Sequence, residues 1–146
     1  MNLTTIVFFQ SLILGMAGNT GTQSLAVTIS TLNDEEVSIR KVILKEILTG
    51  FLNGIIIGIL SFGLVILFLV LKNEETVIAL KTATSVGISL IASMTIAAFL
   101  GSFVPYLLTK LKVDPAVASG PFITTINDIV AIVIYYGLAS LLFNIL

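Results

Sequence analysis

Four long apolar stretches, separated by three short charged or polar interruptions, make up almost the whole chain. They cover about 3–31, 47–71, 77–108 and 116–145. Each is long enough to cross a bilayer as a helix. The pattern therefore predicts an all-α polytopic membrane protein with four transmembrane helices, forming one domain over 1–146. The first interruption is the richest in charge: Asp34, Glu35, Glu36, Arg40, Lys41, Lys45 and Glu46. Within it Ile39, Val42, Ile43 and Ile47 have helical spacing, which predicts an interfacial amphipathic helix running into the second span. The second interruption, Lys72 to Glu75, reads as a polar turn. The third contains Lys110, Lys112 and Asp114.

Small and polar residues break the apolar pattern at specific places. Gly50, Gly54 and Gly58 recur every four residues, the spacing of a close helix-packing face. Ser89, Ser93, Ala97 and Gly101 repeat that spacing in the third span, where Pro105 is expected to kink or end the helix. The first span has a polar cluster near its middle, Gly18-Asn19-Thr20-Gly21-Thr22-Gln23-Ser24, and a further glycine at Gly15. In a membrane this suggests close packing or backbone opened toward a cavity. The fourth span contains one acid, Asp128, and no charged side chain after it. A carboxylate at the bilayer centre costs about 2.5–3.5 kcal/mol, so such residues mark partners, cavities or ion paths. With a helical rise of 1.5 Å per residue, Asp128 lies about 18 Å and Asn19 about 20 Å from the same membrane edge. Pro121, Thr124, Thr125 and Asp128 share one helix face. Together with Asn19, Thr22, Gln23 and glycine carbonyls they form a hard-oxygen donor set, suited to Mg²⁺, Mn²⁺ or Ca²⁺.

Composition narrows the function classes. The chain is 57% hydrophobic and only 10% charged, against about 25% charged in soluble domains. Its mean hydropathy is +1.15. The partner this implies is a lipid bilayer, in the cell membrane. A net charge of −1 without a basic patch argues against nucleic acid. Cys and His are both absent, which removes thiolate metal sites and imidazole catalysis. An intramembrane aspartyl enzyme needs a pair of carboxylates, and no second motif supplies one, so an enzyme is not expected. Arg40, Lys41, Lys45, Lys110 and Lys112 lie on one side and Lys72 and Lys81 on the other. The positive-inside rule then places loops 32–46 and 109–115 in the cytoplasm and both termini outside it.

The motifs together resemble a known family. Gly18-Asn19-Thr20-Gly21-Thr22-Gln23 resembles the Gly-Asn-x-Gly-x-Gln motif of the MgtE-type magnesium channels, to which certain animal solute carriers are related. Lys45-Glu46 is similar to that family's basic-Glu pair. Asp114-Pro115-Ala116-Val117, followed by Pro121, Thr125 and Asp128, resembles its last-helix signature. The resemblance implies a homodimer with a pore at its two-fold axis, lined by the first and fourth spans. It implies that Asp128 holds hydrated Mg²⁺ through water, with Mn²⁺ or Co²⁺ as further candidate ions. Backbone carbonyls of Gly15, Gly18 and Thr124 would line the same site, and Asp114 would stand at the cytoplasmic mouth. Asn19, Thr22, Gln23, Pro121 and Thr125 are then read as pore-lining. The family has five spans and cytosolic Mg²⁺-sensing domains, whereas four spans and no sensor domain are expected here. A separate chain supplying the first span or a regulatory domain is accordingly an expected partner. A non-transporting assembly subunit and a Na⁺- or H⁺-coupled Mg²⁺ exchanger are the alternative readings.

Overall fold

The computed structural model describes residues 3–32 and 37–145, and the side chains of 5–32 and 37–143. Among them are four helices and no strand: α1 (Leu3–Thr31), α2 (Ile39–Leu71), α3 (Thr76–Lys110) and α4 (Gly120–Ile145). A 3-10 turn, Pro115–Val117, precedes α4. The fold is all-α, as the spacing of apolar stretches predicts. Three helices, α2, α3 and α4, are long and apolar enough to cross a membrane. α1 has the length, with 29 residues, but its polar cluster lowers its apolar character.

α3 is the helix on which the others pack. It meets α1, α2 and α4, and it contributes a dense set of small buried residues, among them Ala79, Ala83, Ser85, Ser89, Ser93, Ala97 and Ala98. Small side chains let helix backbones approach closely, which is how helices associate where no water drives them together. The α2–α3 seam shows the effect. A Cβ added at Gly50 would lie 2.6 Å from the Ala98 Cβ; one at Gly54 would lie 2.9 Å from the Ile91 Cα. At Gly58 the obstacle is the Gly87 carbonyl oxygen, again 2.9 Å away. The outer face of α2 is different in kind. Leu44, Leu48, Leu52, Ile56, Ile59, Leu60, Leu64 and Leu67 are all exposed, an apolar surface of the sort that lipid covers.

α2 begins at Ile39, so the charged block and the apolar stretch are one continuous rod. The amphipathic segment expected at the interface is its first two turns; Asp34, Glu35 and Glu36 lie outside the described residues. Continuity changes the place of Glu46, which reads as part of a surface block but is buried at 7% exposure. α3 likewise runs past Pro105 to Lys110. Both helices end in the same way. Asn73 (φ 55°) and Lys112 (φ 59°) adopt the left-handed conformation. Glu74 N–H then donates to the Leu69 carbonyl and Val113 N–H to that of Leu108, the six-to-one closure of a Schellman motif.

α4 starts at Gly120 although the apolar run begins at Ala116. Two prolines account for the delay. Pro115 opens the 3-10 turn, with the Asp114 carboxylate accepting from Ala116 N–H at 2.9 Å. Pro121 has no N–H to donate back into that turn, and is at ease only in the first turn of a helix. From there Ile123, Asn127, Ala131, Tyr135 and Ala139 form the buried stripe at spacing four. At the far end the Tyr135 hydroxyl donates to the Ile6 carbonyl at 2.8 Å, and the Tyr136 hydroxyl donates to Gln10 Oε1 at 2.7 Å.

Candidate ion site between the first and fourth helices

α1 presents two faces. Ile6, Phe9, Ile13, Ala17, Ser24 and Thr28 are buried, while Phe8, Leu12, Gly15, Asn19, Gln23 and Ser30 are exposed. Gly18 lies at the edge between them, where α1 meets α4. A Cβ on Gly18 would stand 3.1 Å from the Thr124 Cγ2, 3.9 Å from its Oγ1 and 4.0 Å from Asp128 Oδ1. The absence of that Cβ is what lets the Thr124 methyl group pack closely on the backbone of α1, with the Asp128 carboxylate beside it. Asp128 is half-buried in this seam.

The threonines there are turned back onto their own helices. Thr124 Oγ1 donates to the Gly120 carbonyl and Thr125 Oγ1 to that of Pro121, both at 2.9 Å. Thr22 Oγ1 donates to the carbonyls of Gly18 and Asn19 at 3.0 Å each. Their donors are satisfied, so what they offer outward is oxygen lone pairs. Gly15, Asn19, Gln23, Pro121 and Thr125 are exposed and Thr22 and Thr124 half-buried. A Cβ at Gly15 would meet nothing within 4 Å. Gly18, Thr124 and Asp128 are therefore brought together, with an open polar margin beside them. Asp114 is not part of this cluster: it is exposed, at the 3-10 turn, more than two turns of α4 before Asp128. Among the described residues no group of three His, Cys, Asp or Glu side chains gathers to form an inner-sphere metal cage.

A match to the MgtE family, described as divalent cation transporters, extends over residues 10–138. The chain belongs to that family. Among MgtE proteins it is 40% identical over 138 residues to the magnesium transporter MgtE of Bacillus subtilis, covering 94% of this chain and 30% of that protein. It is 39% identical to the magnesium transporter MgtE of Enterococcus faecalis, over 93% of this chain and 29% of that one. For the Thermus thermophilus magnesium transporter MgtE the identity is 33%, over 96% and 30%. The chain thus spans about a third of the length of these MgtE relatives, which are named as transporters and not as enzymes.

The geometry adds Asn127, which the sequence pattern does not single out, and gives partners to several residues that it does. Gly21, inside the Gly-Asn-Thr-Gly-Thr-Gln motif, packs on two helices at once. A Cβ there would overlap the Asn127 side-chain amide, and a Cβ on Gly101 would overlap the Gly21 carbonyl. Asn127, next to Asp128 in sequence, is 1% exposed and neither of its amide atoms has a partner. Ser24 donates to Glu46 Oε2 at 2.8 Å in the bundle interior. The signals in the sequence were the glycines of the first-span cluster, the small stripe ending at Gly101 and the Lys45-Glu46 pair; none of them named the partners.

Proposed function

We propose that this chain conducts hydrated Mg²⁺ across the cell membrane along a path at the axis of a homodimer, with Asp128 as its central carboxylate. The observation that carries this is the convergence of Gly18, Thr124 and Asp128 on a seam whose polar margin is left open in one copy. A two-fold axis lets one such patch form both walls. Mg²⁺ sheds water reluctantly. A site with one carboxylate per copy suits an ion that keeps its waters, with the carbonyls of Gly15, Gly18 and Thr124 accepting from those waters. Such outer-sphere contact is weak enough to let the ion leave. Asp114 serves the cytoplasmic mouth, and Asn19, Thr22, Gln23, Pro121 and Thr125 line the way. Loops 32–46 and 109–115 face the cytoplasm, with both termini outside.

Proteoliposomes loaded with a Mg²⁺-sensitive dye test this directly. Wild-type protein should conduct Mg²⁺, and Asp128→Asn should reduce flux to the leak of empty vesicles while the protein still elutes as a folded dimer. Asp114→Asn should lower flux only a few-fold, because bulk water and salt screen its field. Unaltered flux in Asp128→Asn protein would exclude the site. Repeating the assay with imposed Na⁺ and H⁺ gradients separates a channel from a coupled exchanger. Replacing Mg²⁺ by Mn²⁺ or Co²⁺ ranks the ions. A silent wild-type chain would favour the non-transporting subunit that needs a partner chain.

A further inference from the structure

The Lys45-Glu46 pair has no part in the ion path just described, yet Glu46 is, among the described residues, the one charged side chain buried inside the bundle. It is 7% exposed, and its Oε2 accepts a 2.8 Å hydrogen bond from the hydroxyl of Ser24, itself 2% exposed. The bond joins α2 to α1, two helices that touch at few other points because α3 lies between them. Ser24 is on the buried side of α1, turned away from the exposed Gly15 and Asn19. It lies six residues from Gly18, about 9 Å along the helix toward the cytoplasmic end. Glu46 lies one turn below Gly50, where α2 is seated without slack on Met94 and Ala98 of α3.

We infer that Ser24 and Glu46 are positioning residues that hold the cytoplasmic half of α1 against the rigid α2–α3 pair and so set the width of the ion path below Asp128. The inference rests on the ion path proposed above. A buried hydroxyl–carboxyl bond has a defined length and direction. Removing one partner leaves the other desolvated and unpaired. Without the tie, the lower half of α1 is held by apolar contacts and by Gly21 packed on Gly101 and Asn127, and below Gly21 it can settle into the open polar margin. The exposed basic residues Arg40, Lys41 and Lys45 stand on the same rod as Glu46, so a force applied to the first turns of α2 reaches α1 through this bond.

Flux into proteoliposomes, normalised to folded protein and measured over a series of Mg²⁺ concentrations, tests the pair. Ser24→Ala and Glu46→Ala should each lower the maximal rate about tenfold, and the double variant should lose no more than either alone, as expected when two groups act as one unit. Glu46→Gln keeps an acceptor oxygen in place and should stay within about threefold of wild type. The half-saturating Mg²⁺ concentration should hold within about twofold throughout, since Asp128 is untouched. A merely structural role would lower the melting temperature and leave the rate per folded molecule unchanged. Wild-type flux in Ser24→Ala protein, or losses that multiply in the double variant, would overturn the inference and leave the ion path standing. A wild-type chain that carries no Mg²⁺ would instead overturn the ion path, and this inference with it.

Discussion

Asp128 and Asn127 are neighbours in sequence and strangers in environment. One residue of helix turns a side chain by about 100°, so Asn127 is buried against Gly21 of α1 while Asp128 stands half-buried beside Gly18. Glycine spacing decides how close each can come. At Gly18 an added Cβ would require Thr124 to shift by a few tenths of an ångström, whereas at Gly21 the missing Cβ is where the Asn127 amide lies. Gly18→Ala should therefore fold and impair flux by displacing Thr124, beside Asp128. Gly21→Ala should destabilise the bundle by about 1–3 kcal/mol, the usual range for overpacking. Thermal unfolding in detergent, followed by tryptophan-independent dye or light scattering, would separate the two. The Asp128 cluster was legible in the sequence because a lone acid in an apolar helix has few explanations. The contacts of Asn127 and Ser24 were not, because hydroxyls and amides inside helices look alike whichever way they point. Glu46 stood out as half of the Lys45-Glu46 pair, but its partner did not, and its burial and its bond to Ser24 show that it faces inward.

At the scale of elements, the lengths of the four helices follow the apolar stretches, and their ends follow local chemistry. The end of α2 at Lys72 was readable from its polar turn. The start of α4 was not, because Ala116 and Val117 are as apolar as the helix they precede. The two prolines set that boundary. The two left-handed caps differ in ease. Asn tolerates this conformation, and Lys at 112 bears a Cβ penalty that glycine avoids. Lys112→Gly should relieve about 1–2 kcal/mol of left-handed strain, offset by about 0.5–1 kcal/mol of glycine's chain entropy, and so give a small rise in melting temperature. An unchanged or lower value would mean that the Lys112 side chain offsets the strain through contacts of its own.

At the scale of the whole molecule, α1 and α4 turn a polar margin outward that one copy leaves uncovered. With no cysteine in the chain, single substitutions report cleanly on what covers it. In membranes, oxidation of Thr125→Cys or Ile132→Cys should yield a covalent dimer. Asn127→Cys should not, since that position is inside the protomer at 1% exposure, nor should Leu60→Cys on the outer face of α2. Equal cross-linking at Leu60 and Ile132 would count against an axis beside α4. A reporter fused after Leu146 should be active only outside the cytoplasm, because five of the seven basic residues lie at the other end of the bundle. Cytoplasmic activity would invert the orientation.

The glycine seam between α2 and α3 also bears on how the chain can change length. Deleting one residue just before Gly50 would turn every later position of α2 by about 100° and set Phe51, Ile55 and Ile59 where only hydrogen fits, and an insertion there would set Thr49, Asn53 and Ile57 in the same places. No rotamer change absorbs that, because the opposing atoms at Met94, Ile91 and Gly87 are backbone. Length variation is then confined to the segments that interrupt the helices, around 32–38, Asn73 and 111–119. Across relatives, gaps should gather in those three places, and α2 and α3 should keep step with each other residue for residue.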